Sequence, residues 1–96
     1  MAKYKLRVSG KFKKDFKKFK NKPRELKGVE EVLRLLKQGV ETIPQQMKPH
    51  KLVGNYKGLW ECHVFPDLLL IWEQFDEPDF EIHLIRLGSH SDLFRK

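Results

Sequence analysis

The chain has 96 residues, enough for one hydrophobic core and too few for two, so residues 1–96 are read as a single domain. A hydrophobic share of 40% argues against a disordered chain although 34% of residues are charged, and the lone Cys62 excludes both an intramolecular disulfide and a cysteine zinc cluster. The formal charge of +7 is unevenly spread: residues 1–28 carry twelve Lys/Arg against Asp15 and Glu25, a balance of +10, and the remainder eight against eleven, a balance of −3. A basic segment on a near-neutral domain suits a polyanion, nucleic acid before an acidic protein, because neutralised phosphates release their counterions.

Tyr4, Leu6 and Val8 alternate with Lys3, Lys5 and Arg7, the period of a strand with one buried face. Ser9 is placed to cap a helix in which Phe12, Phe16 and Phe19 mark the core face and lysines fill the rest. Asn21-Lys22-Pro23 breaks that helix and opens a second, whose Leu26, Val29, Val32, Leu33 and Leu36 keep the helical period until Gly39. Residues 43–57 read as loop around a short Lys51-Leu52-Val53 stretch. Strands are predicted over 59–65, 68–72 and 80–87, joined by turns at Pro66-Asp67 and Asp76–Asp79, and Gly88-Ser89 leads into a short helix or turn with His90 and Phe94. The expected fold is α+β in the order β-α-α-β-β-β-α, a twisted antiparallel-rich sheet with the helical hairpin on one face. The opposite face is left for function. No apolar run follows the basic start, so neither a signal peptide nor a spanning helix is expected, and the chain is read as soluble and cytoplasmic.

His50, His63, His83 and His90 are the side chains able to take and give protons near neutrality, and converging histidines suit acid–base cleavage of RNA. There one group removes the 2′-hydroxyl proton, another protonates the leaving 5′-oxygen, and a cation such as Arg86 stabilises the charge gathering on phosphorus. A metal site built on His63 and Asp67 is the competing chemistry, though no compact pair of histidines supports it. Tyr56 and Phe94 are candidates for stacking on bases, whereas Phe12, Phe16 and Phe19 belong to the core.

Three ordered blocks carry a more specific signal: His50-Lys51-Leu52-Val53-Gly54-Asn55-Tyr56-Lys57-Gly58, then His63-Val64-Phe65-Pro66-Asp67, then Arg86-Leu87-Gly88-Ser89-His90-Ser91-Asp92-Leu93-Phe94. In order and spacing they resemble the YafQ branch of the RelE toxin superfamily. The resemblance implies a RelE-like fold and the toxin of a type II toxin–antitoxin system, a metal-independent endoribonuclease without cofactor that cuts mRNA on the ribosome. The implied partners are a cognate antitoxin, mRNA and ribosomal RNA. His50, His63, Asp67 and His90 match the family's catalytic set, with His50 or Asp67 activating the 2′-hydroxyl, His90 protonating the leaving oxygen and His63 holding the phosphate. Arg86 and Phe94 match positions supporting phosphate and base, and Lys48, Lys51, Lys57, Lys13 and Lys17 are expected to contact RNA. One departure is Leu68, where the resembled pattern carries tryptophan. The alternative reading is a non-catalytic RNA- or ribosome-binding module on the same fold.

Overall fold

The computed structural model describes residues 2–94. Strand β1 (Lys5–Val8) is followed by helix α1 (Gly10–Lys17) and helix α2 (Pro23–Leu36). A two-residue strand β2 (His50–Lys51) precedes three long strands, β3 (Leu59–Phe65), β4 (Leu68–Phe75) and β5 (Glu81–Gly88), and helix α3 (His90–Leu93) closes the described chain. The order matches the expectation with one addition, β2, which lies in the stretch read as loop.

Ser9 starts α1 as its spacing suggests: its Oγ accepts the Phe12 N–H at 3.0 Å and donates to the Ile85 carbonyl at 3.1 Å, so the cap also ties α1 to β5. Pro23 occupies the first turn of α2, where its missing N–H costs nothing. That helix buries Val29, Val32 and Leu36, and Gly39 at φ +125 turns the chain back through two 3-10 turns. Gly28 lets α2 press against β3, since a Cβ there would stand 2.6 Å from the Phe65 ring.

The sheet order is β1-β5-β4-β3-β2, with β1 parallel to β5 and every other pair antiparallel. Alternation sorts the side chains. Cys62, Val64, Leu70, Trp72, Ile82 and Leu84 join Phe12, Val29 and Leu36 in one buried cluster against the helices. Each such aliphatic burial is worth about 2 kcal/mol. Burial pushes the Cys62 thiol up to about 12, with the neighbouring Glu61 charge adding, which leaves it a packing residue. Leu69 and Ile71 face the other way and are buried as well. On that side Leu93 lies 3.2 Å from the Cβ position of Gly88, the residue opposite Leu69, and Phe94, beyond β5, has its ring centroid 5.0 Å from Tyr56, in the loop between β2 and β3. With β4 and β3 between, the segment crosses the face the helices leave open. Among the described residues no helix is long and apolar enough to cross a membrane.

Candidate active site

Two register rows cross that open face. His50 pairs with Glu61, Glu61 with Ile71, and Ile71 with Arg86; one step along, His63 pairs with Leu69 and Leu69 with Gly88, immediately before α3 and His90. The first row depends on an irregularity. Trp72 stands opposite Leu84 but Ile71 opposite Arg86, so Ile85 is an extra residue on β5. Without it, alternation would turn Arg86 into the core; with it, Leu84 and Leu87 both face the helices and Arg86 joins Glu61 and His63 on the open face.

His50 is fixed at both nitrogens. Its Nδ1 lies 2.6 Å from the Lys48 carbonyl, which can only accept, so Nδ1 carries a proton. Its Nε2 then faces Glu61 Oε1 at 3.3 Å. An unprotonated nitrogen and a carboxylate repel each other, so the contact is complementary when one proton lies between them. Glu61 is 6% exposed and its Oε2 is buried with no hydrogen-bond partner among the described residues, which concentrates its charge on this contact. His63 Nδ1 points at the Pro66 carbonyl at 3.4 Å, leaving Nε2 as its acceptor. His63, Lys48, Met47 and Pro66 line a groove of about 470 Å³, and the exposed Asp67 completes the turn beside it.

On the opposite flank Arg86 is clamped by a residue from α1. Asp15, 4% exposed among lysines, accepts from Arg86 Nε at 2.8 Å, from Arg86 Nη2 at 3.3 Å and from the Leu87 backbone N–H at 2.9 Å. β1 pairs β5 only as far as Leu84, and the Asp15 carboxylate takes an edge N–H beyond that point. The hydrogen bond from Asp15 pushes Arg86 above its already high value, against partial burial, so the guanidinium stays charged. Three of its five N–H donors remain uncommitted to Asp15. Ser89 and Asp92 form a reciprocal capping box that starts α3 at His90, whose ring lies 4.8 Å from Phe94.

The structure therefore gathers His50, His63, Arg86 and Lys48 on one face, with Asp67 at the turn, His90 and Phe94 on the C-terminal segment and Tyr56 in the β2–β3 loop that Phe94 meets. Other expected residues stand apart. Lys51 points to the helix side, its ammonium 5.6 Å from the Trp60 ring, and shares with Lys57 a hollow of about 500 Å³. Lys13 and Lys17 are exposed on α1, and Leu68 is buried at 4% exposure, out of reach of any base. His83 pairs with Glu81 at 2.9 Å and packs on Phe75 outside these rows. Glu61 and Asp15 are the residues that sequence reasoning missed. Their signals were an acid sharing a strand face with His63 and a lone acid on the Phe12–Phe16 side of a lysine helix.

The chain is similar to known proteins over nearly its whole length. The family model described as bacterial toxin of type II toxin-antitoxin system, YafQ, matches residues 4–95. The mRNA interferase toxin YafQ of Escherichia coli strain K12 is 29% identical over 89 residues, covering 93% of this chain and 94% of its own. YafQ in the E. coli DinJ-YafQ complex superposes with a TM-score of 0.81 at 28% identity, covering 95% of this chain and 98% of its own. A metal-bound toxin from Helicobacter pylori superposes with a TM-score of 0.80 at 36% identity, covering 98% and 100%. Among the described residues of the present chain no three His, Cys, Asp or Glu side chains group closely enough to hold an ion. With nearly its whole length matched, the chain belongs to the YafQ family of bacterial toxins of type II toxin–antitoxin systems.

Proposed function

We propose that this toxin is a cytoplasmic endoribonuclease that cleaves mRNA on the ribosome and is held inactive by a cognate antitoxin. The observation that carries the reading is the row His50–Glu61–Ile71–Arg86, which sets a proton-bearing histidine and a fixed guanidinium on one face beside His63. A basic group takes the 2′-hydroxyl proton, O2′ bonds to the adjacent phosphorus, the bond from phosphorus to O5′ breaks, and an acid protonates O5′. The products are a 2′,3′-cyclic phosphate and a 5′-hydroxyl. Arg86 offers its uncommitted N–H groups to the non-bridging oxygens as charge builds there. The His50–Glu61 contact favours His50 as a proton-bearing group, which puts the acceptor role on Asp67 or on His63 through its Nε2. His90 remains the donor to O5′.

The test is cleavage of a defined message in a translating extract, read by primer extension. The native chain is expected to cut, and His50→Ala and His90→Ala to slow cutting by roughly 10²-fold or more, the usual worth of a positioned acid or base. Cutting should persist in excess chelator and stop when the antitoxin is added. Undiminished cutting by both variants would remove the proposed site, and RNA binding with no cutting by the native chain would leave an RNA-binding module.

A further inference from the structure

We infer that Lys11, Lys14 and Lys18 form, with Arg86, a phosphate track that carries the RNA backbone away from the cleaved bond. The inference rests on the ribonuclease reading and adds a second contact surface to it. The lysines of the first helix are not equivalent. Lys11, Lys14 and Lys18 recur at three- and four-residue spacing on one stripe of α1 and its C-terminal turn, and they line with Asp15 and Arg86 a shallow hollow of about 310 Å³. Lys13, Lys17 and Lys20 do not line it.

The hollow carries an excess of positive charge, four cations to one carboxylate. Asp15, the acid present, is already engaged by Arg86 and the Leu87 N–H, and among the described residues Lys11, Lys14 and Lys18 form no salt bridge. The exposed arginines Arg7, Arg24 and Arg34 are paired with Glu81, Glu25 and Glu31, all of them away from the hollow. A row of like charges costs self-repulsion that a polyanion relieves. Arg86 belongs to both places, since it stands in the site row and in the wall of the hollow. The row from Lys11 to Lys18 spans roughly 10 Å at the helical rise, long enough to follow more than one phosphate of an extended strand. The hollow has no apolar lining residue on which a peptide side chain could anchor, which favours RNA over an acidic protein.

The experiment measures binding of the full chain to a single-stranded 2′-O-methyl RNA oligonucleotide, which cannot be cut by 2′-hydroxyl attack, by fluorescence anisotropy across a salt series. It compares the native chain, the triple variant Lys11→Gln/Lys14→Gln/Lys18→Gln, and the charge-matched triple Lys13→Gln/Lys17→Gln/Lys20→Gln. The first triple is expected to bind about tenfold more weakly at low salt and to lose about 2 from the slope of log K against log salt, the single-strand value for three phosphate contacts. The matched triple should keep most of both. Equal losses in the two triples would reduce the row to undirected charge and overturn the inference. So would native-like binding by the first triple, no binding of the probe by the native chain, or a loss confined to antitoxin binding. Native cleavage in the translating extract is a separate readout, so failure of the track and failure of the catalytic reading are told apart.

Discussion

Glu61 is the side chain whose surroundings least resemble its chemistry: an acid inside the sheet, with one oxygen on His50 and the other on nothing polar among the described residues. A structural acid there would be costly, because a buried oxygen without a partner forfeits its hydration. Glu61→Gln keeps the shape and removes the charge. We expect cleavage to fall by roughly 10²-fold, while the melting temperature stays level or rises. Undiminished cleavage by the variant would make Glu61 a packing residue. His50, His63, Arg86 and His90 could be picked out in the sequence because they sit in ordered motifs. Glu61 could not, because its meaning comes from the residue opposite it on a strand two residues long.

At the level of elements, α1 is joined to the sheet by polar links as well as by Phe12. Ser9 reaches the Ile85 carbonyl and Asp15 reaches Arg86 and the Leu87 N–H, so the helix grips β5 at the extra residue and just beyond it. Asp15→Ala is expected to cost about 3 kcal/mol in urea unfolding, the low end for a broken buried pair because Arg86 is 29% exposed. The same variant should cleave poorly because Arg86 is released. Loss of activity at unchanged stability would mean that Asp15 serves orientation alone. Most elements were legible because caps, proline and periodicity agree, as at Ser9 and Pro23. Two features were not. β2 is too short to show a period, and the extra residue shows only as the broken alternation of Leu84-Ile85-Arg86-Leu87.

Across the whole molecule, the first strand is tied to the turn between β4 and β5. Tyr4 Oη donates to Asp76 at 2.6 Å, and Gln74 also donates to Asp76 at 3.0 Å. The Tyr4 bond holds the Asp76 carboxyl below the usual carboxylate range, while burial, helped by Asp76, pushes the Tyr4 phenol up to about 12. The signs differ. Asp76's folded value lies below its unfolded value of about 4, so its contribution is full above that pH and is lost as pH falls through the folded value. Tyr4's lies above its unfolded value of about 10, so its contribution is full below that pH and is lost as pH rises toward the folded value. Tyr4→Phe should cost about 1 kcal/mol at neutrality and flatten stability against pH at both ends, as chemical denaturation would report. An unaltered curve would show that the link is not felt. Such partners could not be read from the sequence, since the residues lie 72 positions apart.

The pairing of β1 with β5 alone has a consequence for how the toxin is made. Within this domain β1 leaves the translating ribosome long before its one neighbour, β5, and the Asp15–Arg86 clamp likewise needs both ends of the domain. A nascent chain that stops before residues 81–88 has neither a closed sheet nor a complete site. Folding of this domain waits for β5 to be made, as in other topologies dominated by distant contacts. Translation cut short before β5 would then leave only inert fragments of the toxin.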